Sequence, residues 1–143
     1  MVTLVAVAVP IAFLNMLNQI IALNLLSGAD FLKTFKPDQL RALSLVFLNL
    51  QNDGVAVVEI FWGLWLLPFG LLVIKSGFVP RVFGFFLIAA CFGYLADSFV
   101  HLLFPAHRYL VVPVTALTGT LGEFSIILWF LIKGVKNQKT VAV

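Results

Sequence analysis

With a single cysteine, Cys91, in 143 residues, the chain can form no intrachain disulfide and no CxxC metal knuckle. Cys91 lies in an apolar run, where a thiol packs as a small hydrophobe. Charge is scarce as well: Asp, Glu, Lys and Arg make up 10% of the positions, against about 25% in a soluble domain. A surface cannot be coated with so few charges, which excludes an ordinary soluble enzyme, a disordered tail and a nucleic-acid-binding module. Gly-rich phosphate loops, an HExxH helix and a Ser/His/Asp set are missing too, and there are only two histidines. No Lys or Arg precedes Lys33, so the first apolar run lacks the basic start of a cleaved signal peptide and reads as a retained helix.

What the sequence has in abundance is hydrocarbon: 62% of positions are apolar and the mean hydropathy is +1.12. Four uncharged or nearly uncharged stretches, residues 2–26, 55–74, 82–104 and 109–132, are each long enough to cross a hydrocarbon layer of about 30 Å at about 1.5 Å of rise per residue. Residues 38–52 are also apolar and helix-compatible. With Asp38 as N-cap they can form an interfacial helix ahead of the second span, and Asn52-Asp53-Gly54 supplies a kink or break between the two. The links after spans two and three are so short that spans two, three and four are expected to be antiparallel neighbours. The expected fold is an all-α integral membrane bundle forming a single domain over residues 1–143, with lipid as its first partner.

The net charge of +3 is distributed as a topology signal. Lys75, Arg81, Lys133, Lys136 and Lys139 fall on one side, and Lys33, Lys36, Arg41 and Arg108 on the other. The excess places both termini in the cytoplasm of a bacterial inner membrane.

Three carboxylates, Glu59, Asp97 and Glu123, stand inside the apolar stretches together with His101. An acid at the centre of a spanning helix costs about 2.5–3.5 kcal/mol on insertion scales, so such groups need partners or protons. Tyr94, Asp97, Ser98 and His101 follow the i, i+3, i+4, i+7 rule and share one helix stripe, as do Asn15, Asn18 and Gln19 on the first span. Glu59 and Asp97 lie roughly 6 and 10 Å from the non-cytoplasmic end, Gln19 and Asn18 roughly 10 and 12 Å, and Glu123 roughly 21 Å. This spacing predicts an outward-opening pocket built from Asn15, Asn18, Gln19, Glu59, Tyr94, Asp97 and His101, with Glu123 beneath it. Three chemistries fit. The acids can bind or translocate a small polar or cationic solute, or step protons. Alternatively, Glu59, Asp97 and His101 can hold a divalent metal for an intramembrane hydrolase, the only reading that asks for a cofactor. The third is a structural or partner-binding subunit in which the acids pair within the bundle. The first is the reading adopted, which leans away from an enzyme. Small residues such as Thr115/Gly119 and Thr118/Gly122 read as helix packing. Tyr109 and Trp129 suit interface belts, and Trp62 and Trp65 face lipid or fill gaps.

The run Phe61-Trp62-Gly63-Leu64-Trp65 within residues 59–70, and Lys75-Ser76-Gly77-Phe78 within 75–81, resemble a bacterial family of multi-pass membrane proteins, domain of unknown function 4386. Residues 91–97, Gly122-Glu123, Leu128-Trp129 and 132–135 resemble its later helices, and residues 26–30 and 37–40 its earlier ones. The resemblance implies a bundle without an assigned reaction, substrate or cofactor, and carries Asp97 and Glu123 over as motif members. It further implies about six spans, of which this chain corresponds to the last four, and so a groove that self-association into a homo-oligomer could fill.

Overall fold

A computed structural model describes residues 2–134, which hold four long helices: α1 (Val2–Leu25), α2 (Pro37–Ser76), α3 (Arg81–Leu103) and α4 (Arg108–Lys133). No strand occurs among the described residues, and all four helices are long and apolar enough to cross a membrane. Lys136 and Lys139, which entered the orientation argument, lie outside the described residues.

The second helix corrects three sequence expectations. Residues 38–52 are not a separate interfacial helix, and Asn52-Asp53-Gly54 is not a break: α2 runs unbroken for 40 residues, roughly 60 Å. Its N-cap is Lys36 rather than Asp38, with Pro37 at the first helical position. The Lys36 backbone N–H donates to Gln39 Oε1 at 2.9 Å, which satisfies a donor the helix itself leaves free. Tertiary contacts outweigh the weak local signal of the Asn-Asp-Gly run. Asp53 Oδ1 lies 2.9 Å from His101 Nε2 of α3 and accepts from it in the tautomer that carries the proton there, and the bare backbone of Gly54 leaves room for the Asn15 side chain of α1. At the far end Gly77, with φ of +64°, provides the left-handed residue that terminates α2.

Packing follows chain order: α1 lies on α2, α2 on α3, and α3 on α4. The first two contacts are staggered along α2. Ser44 of α2 donates to the Ala22 carbonyl, and Asn15 donates to the Gln51 carbonyl at 2.8 Å. Farther along, Ala8 and Ala12 line the same small apolar cleft as Trp62. On α3, by contrast, Gly84 touches Gly70 and His101 reaches Asp53. Glycines set how closely the helices approach. A Cβ at Gly70 would sit 2.8 Å from the Gly84 carbonyl oxygen, and one at Gly122 would sit 3.0 Å from that of Phe86, as expected where backbones meet in lipid. Thr115 Oγ1 donates to the Gly93 carbonyl at 2.9 Å across the α3–α4 contact. Leu66, Leu87, Ala90, Cys91 and Ile126 fill the core between α2, α3 and α4, so Cys91 is the packed hydrophobe its surroundings predict.

Candidate functional site

The polar stripe of α3 faces two helices at once. Asp97 is buried, and its carboxylate accepts two hydrogen bonds from the Arg108 guanidinium, at 3.2 and 3.1 Å. This fork arises locally: Pro105–His107 form a single 3-10 turn that brings the first residue of α4 back over the last turns of α3. One turn beyond Asp97, His101 Nε2 pairs with Asp53 Oδ1 at 2.9 Å, and the His101 side chain is 12% exposed against 59% for Asp53. In the other direction, Tyr94 donates to Glu123 Oε1 at 2.8 Å. Gly119, one helical turn before Glu123, makes this contact possible, since a Cβ there would lie 3.0 Å from the Tyr94 hydroxyl.

Glu59 enters from α2. It lies within electrostatic range of Asp97, Arg108 and His101 and close against the Asp97 carboxyl, yet its Oε2 is buried without a hydrogen-bond partner. Two acidic side chains therefore stand near one guanidinium, which is hydrogen-bonded to Asp97 alone. His101 Nδ1 is likewise buried and unpartnered. The site thus has an outer pair, Asp53 with His101, an inner trio of Glu59, Asp97 and Arg108, and a deeper pair, Tyr94 with Glu123.

Not every predicted neighbour joins it. Asn15 and Asn18 do not reach Glu59 and Asp97. Asn18 donates to Asn15 Oδ1 at 3.0 Å, and Asn15 is spent on the Gln51 carbonyl, two helical turns before Glu59. Gln19 is exposed. The stagger of α1 along α2 is the reason: a depth count from span ends assumes that all helices start level, and α1 does not. The proposed single pocket of seven residues is therefore not assembled. The metal set of Glu59, Asp97 and His101 does not converge either. No group of three His, Cys, Asp or Glu side chains among the described residues is placed to hold a metal: Asp97 faces Arg108 and His101 Nε2 faces Asp53. Glu123 is joined to the α3 stripe through the Tyr94 hydroxyl.

Two members of the site were missed in the sequence. Arg108 reads there as a topology charge in a loop, and Asp53 as part of a helix breaker. The available signal was their position: Arg108 is 11 residues from Asp97 across a three-residue turn, the separation at which antiparallel helices bring side chains together.

These features define a four-span, all-helical membrane protein with a charged cluster inside its helix contacts. The chain belongs to the family described as domain of unknown function DUF4386, whose profile matches residues 1–134. No curated protein and no solved structure matches it.

Proposed function

We propose that this protein binds a small cationic or polar solute at the Glu59–Asp97–Arg108 cluster and passes it across the membrane. The observation that carries the reading is the buried, unpartnered Oε2 of Glu59 beside an ion pair that already consumes the only guanidinium nearby. A carboxylate in that position gains most from a cation or a proton that arrives and leaves. Tyr94, which bonds Glu123 and lies within electrostatic range of Glu59, links the cluster to the deeper acid. Purified full-length protein in proteoliposomes, with radiolabelled guanidinium as the probe, tests it. Uptake above that of empty vesicles is expected, and Glu59→Gln is expected to abolish it without moving the unfolding midpoint. No uptake, or equal uptake by the variant, overturns the proposal.

A second reading, a structural or partner-binding subunit that self-associates as a homo-oligomer, draws on α1. The most apolar window of α1 is 6% buried, against 39% for α3, so most of its surface is left to lipid or to another copy. The cation distribution supports placing the protein in a bacterial inner membrane with both termini in the cytoplasm.

A further inference from the structure

A second place in the fold faces the bilayer rather than the charged cluster. Between α2 and α4, with α3 as its floor, runs an open groove of about 270 Å³ whose lining includes Trp65, Phe69, Leu87, Ile126, Phe130 and Glu123. Glu123 is the only ionisable side chain along it. Its one hydrogen bond comes from a neutral donor, Tyr94, and it forms no ion pair among the described residues. Counted along α4 it stands roughly 22 Å from Arg108 and roughly 15 Å from Lys133, beyond the reach of either side chain. Trp65 and Phe69, which line the opposite wall, stack with centroids 5.5 Å apart and planes 6° from parallel, so that wall is aromatic.

A small hydrated ion finds nothing here to replace its water except one carboxylate, and a neutral hydrocarbon gains nothing from that carboxylate. The lining asks for a molecule that brings both a positive charge and its own apolar surface: charge for Glu123, a cationic head beside the aromatic pair, and a body that fills the rest of the groove. We infer that this groove is a binding site for a lipophilic organic cation, an amine or quaternary ammonium bearing an aromatic or alkyl body, anchored at Glu123. The inference rests on the reading that the intramembrane acids bind cations, and it names the class of solute. Access is from the lipid, because the groove opens along the helix faces and Ile127 on its rim is 51% exposed.

The experiment uses the full chain in phosphatidylcholine nanodiscs, tritiated benzyltrimethylammonium as the probe and empty nanodiscs as the baseline. Saturable binding is expected. Glu123→Gln, which keeps an oxygen for Tyr94, is expected to weaken it at least tenfold, and so is Ile127→Trp, which fills the groove from its exposed rim and leaves the acid in place. Neopentylbenzene, the same shape with carbon for nitrogen, is expected not to displace the probe. Binding that is unchanged in both variants, or displaced equally by the neutral analogue, overturns the inference. Glu59→Gln separates the two proposals. If it abolishes guanidinium uptake while Glu123→Gln leaves benzyltrimethylammonium binding intact, the cluster reading stands and this one fails. If benzyltrimethylammonium binds through Glu123 but no guanidinium uptake occurs, the groove stands and transport at the cluster fails.

Discussion

Asp97 and Arg108 are unequal partners, and the inequality has a measurable sign. The Asp97 side chain is 5% exposed and that of Arg108 38%. Removing the cation strands a carboxylate beside Glu59 with nowhere to turn, whereas removing the acid leaves a guanidinium that can swing to water. Arg108→Ala is therefore expected to cost about 3 kcal/mol, the low end for a broken buried pair because Arg108 is partly solvated. Asp97→Asn, which keeps an acceptor oxygen, is expected to cost about 1 kcal/mol. Denaturant unfolding in detergent measures both, and equal costs, or a costlier Asp97→Asn, would show that the pair does not work in this way. The residue scale is also where the sequence was most legible. An acid in an apolar run calls for a partner, and Asp97 and Glu123 have one in Arg108 and Tyr94, whereas Glu59 keeps one buried oxygen without any. Which partner each one has was not legible, because Arg108 and Tyr94 reach their acids across a turn and across a helix–helix contact that periodicity within one helix does not encode.

At the scale of the element, α2 is the unusual member. At roughly 60 Å it is about twice the thickness of a hydrocarbon layer, and it serves two antiparallel partners at staggered levels, α1 from Ser44 to Trp62 and α3 from Asp53 to Gly70. Leu43, Leu45, Val46, Leu48 and Leu50 in the first half are all exposed, so that half is apolar on nearly every side and belongs in lipid or against another helix rather than in water. Residue pattern located both halves as helix but divided them at Asn52-Asp53-Gly54, since a Gly beside Asn and Asp is a stop signal in isolation. In the fold Asp53 meets α3 and Gly54 meets α1, and a residue without a side chain is an asset at such a crossing. Spin labels at Arg41 and Lys75, 34 residues apart on one exposed helix, test the continuity. An unbroken α2 sets their backbone separation at roughly 51 Å, and double electron–electron resonance should return a single population near that value. A helix broken at Gly54 and folded back would give a distinctly shorter one.

Across the whole molecule the four helices form a succession of pairwise contacts rather than a closed ring, which is why the groove beside Glu123 stays open between α2 and α4 and why α1 is so sparsely covered. The number of the spans and the antiparallel order of the last three were legible, because hydropathy and link length fix them, whereas the start of α2 at Pro37 was not. The stagger was not, because nothing in a span's composition states its height relative to its neighbour. The contacts also sharpen the orientation argument. Arg108 is committed to the buried Asp97 inside the fold, whereas Lys33 and Arg41 on the same side pair only with the exposed Asp30 and Asp38, so Arg108 acts less as a topology charge than they do. With Arg108 set aside, the sequence carries three cations on that side, Lys33, Lys36 and Arg41, against five on the side of Lys75, which widens the bias toward a cytoplasmic Lys75. Single Lys33→Cys and Lys75→Cys variants put this to the test, since both positions are exposed and the native Cys91 is buried. A membrane-impermeant maleimide applied to intact cells is expected to label the Lys33→Cys chain and to reach the Lys75→Cys chain only after permeabilisation. The reverse pattern would invert the protein, turn the Arg108 end of the charged cluster toward the cytoplasm, and make that face the one from which a solute first meets Glu59.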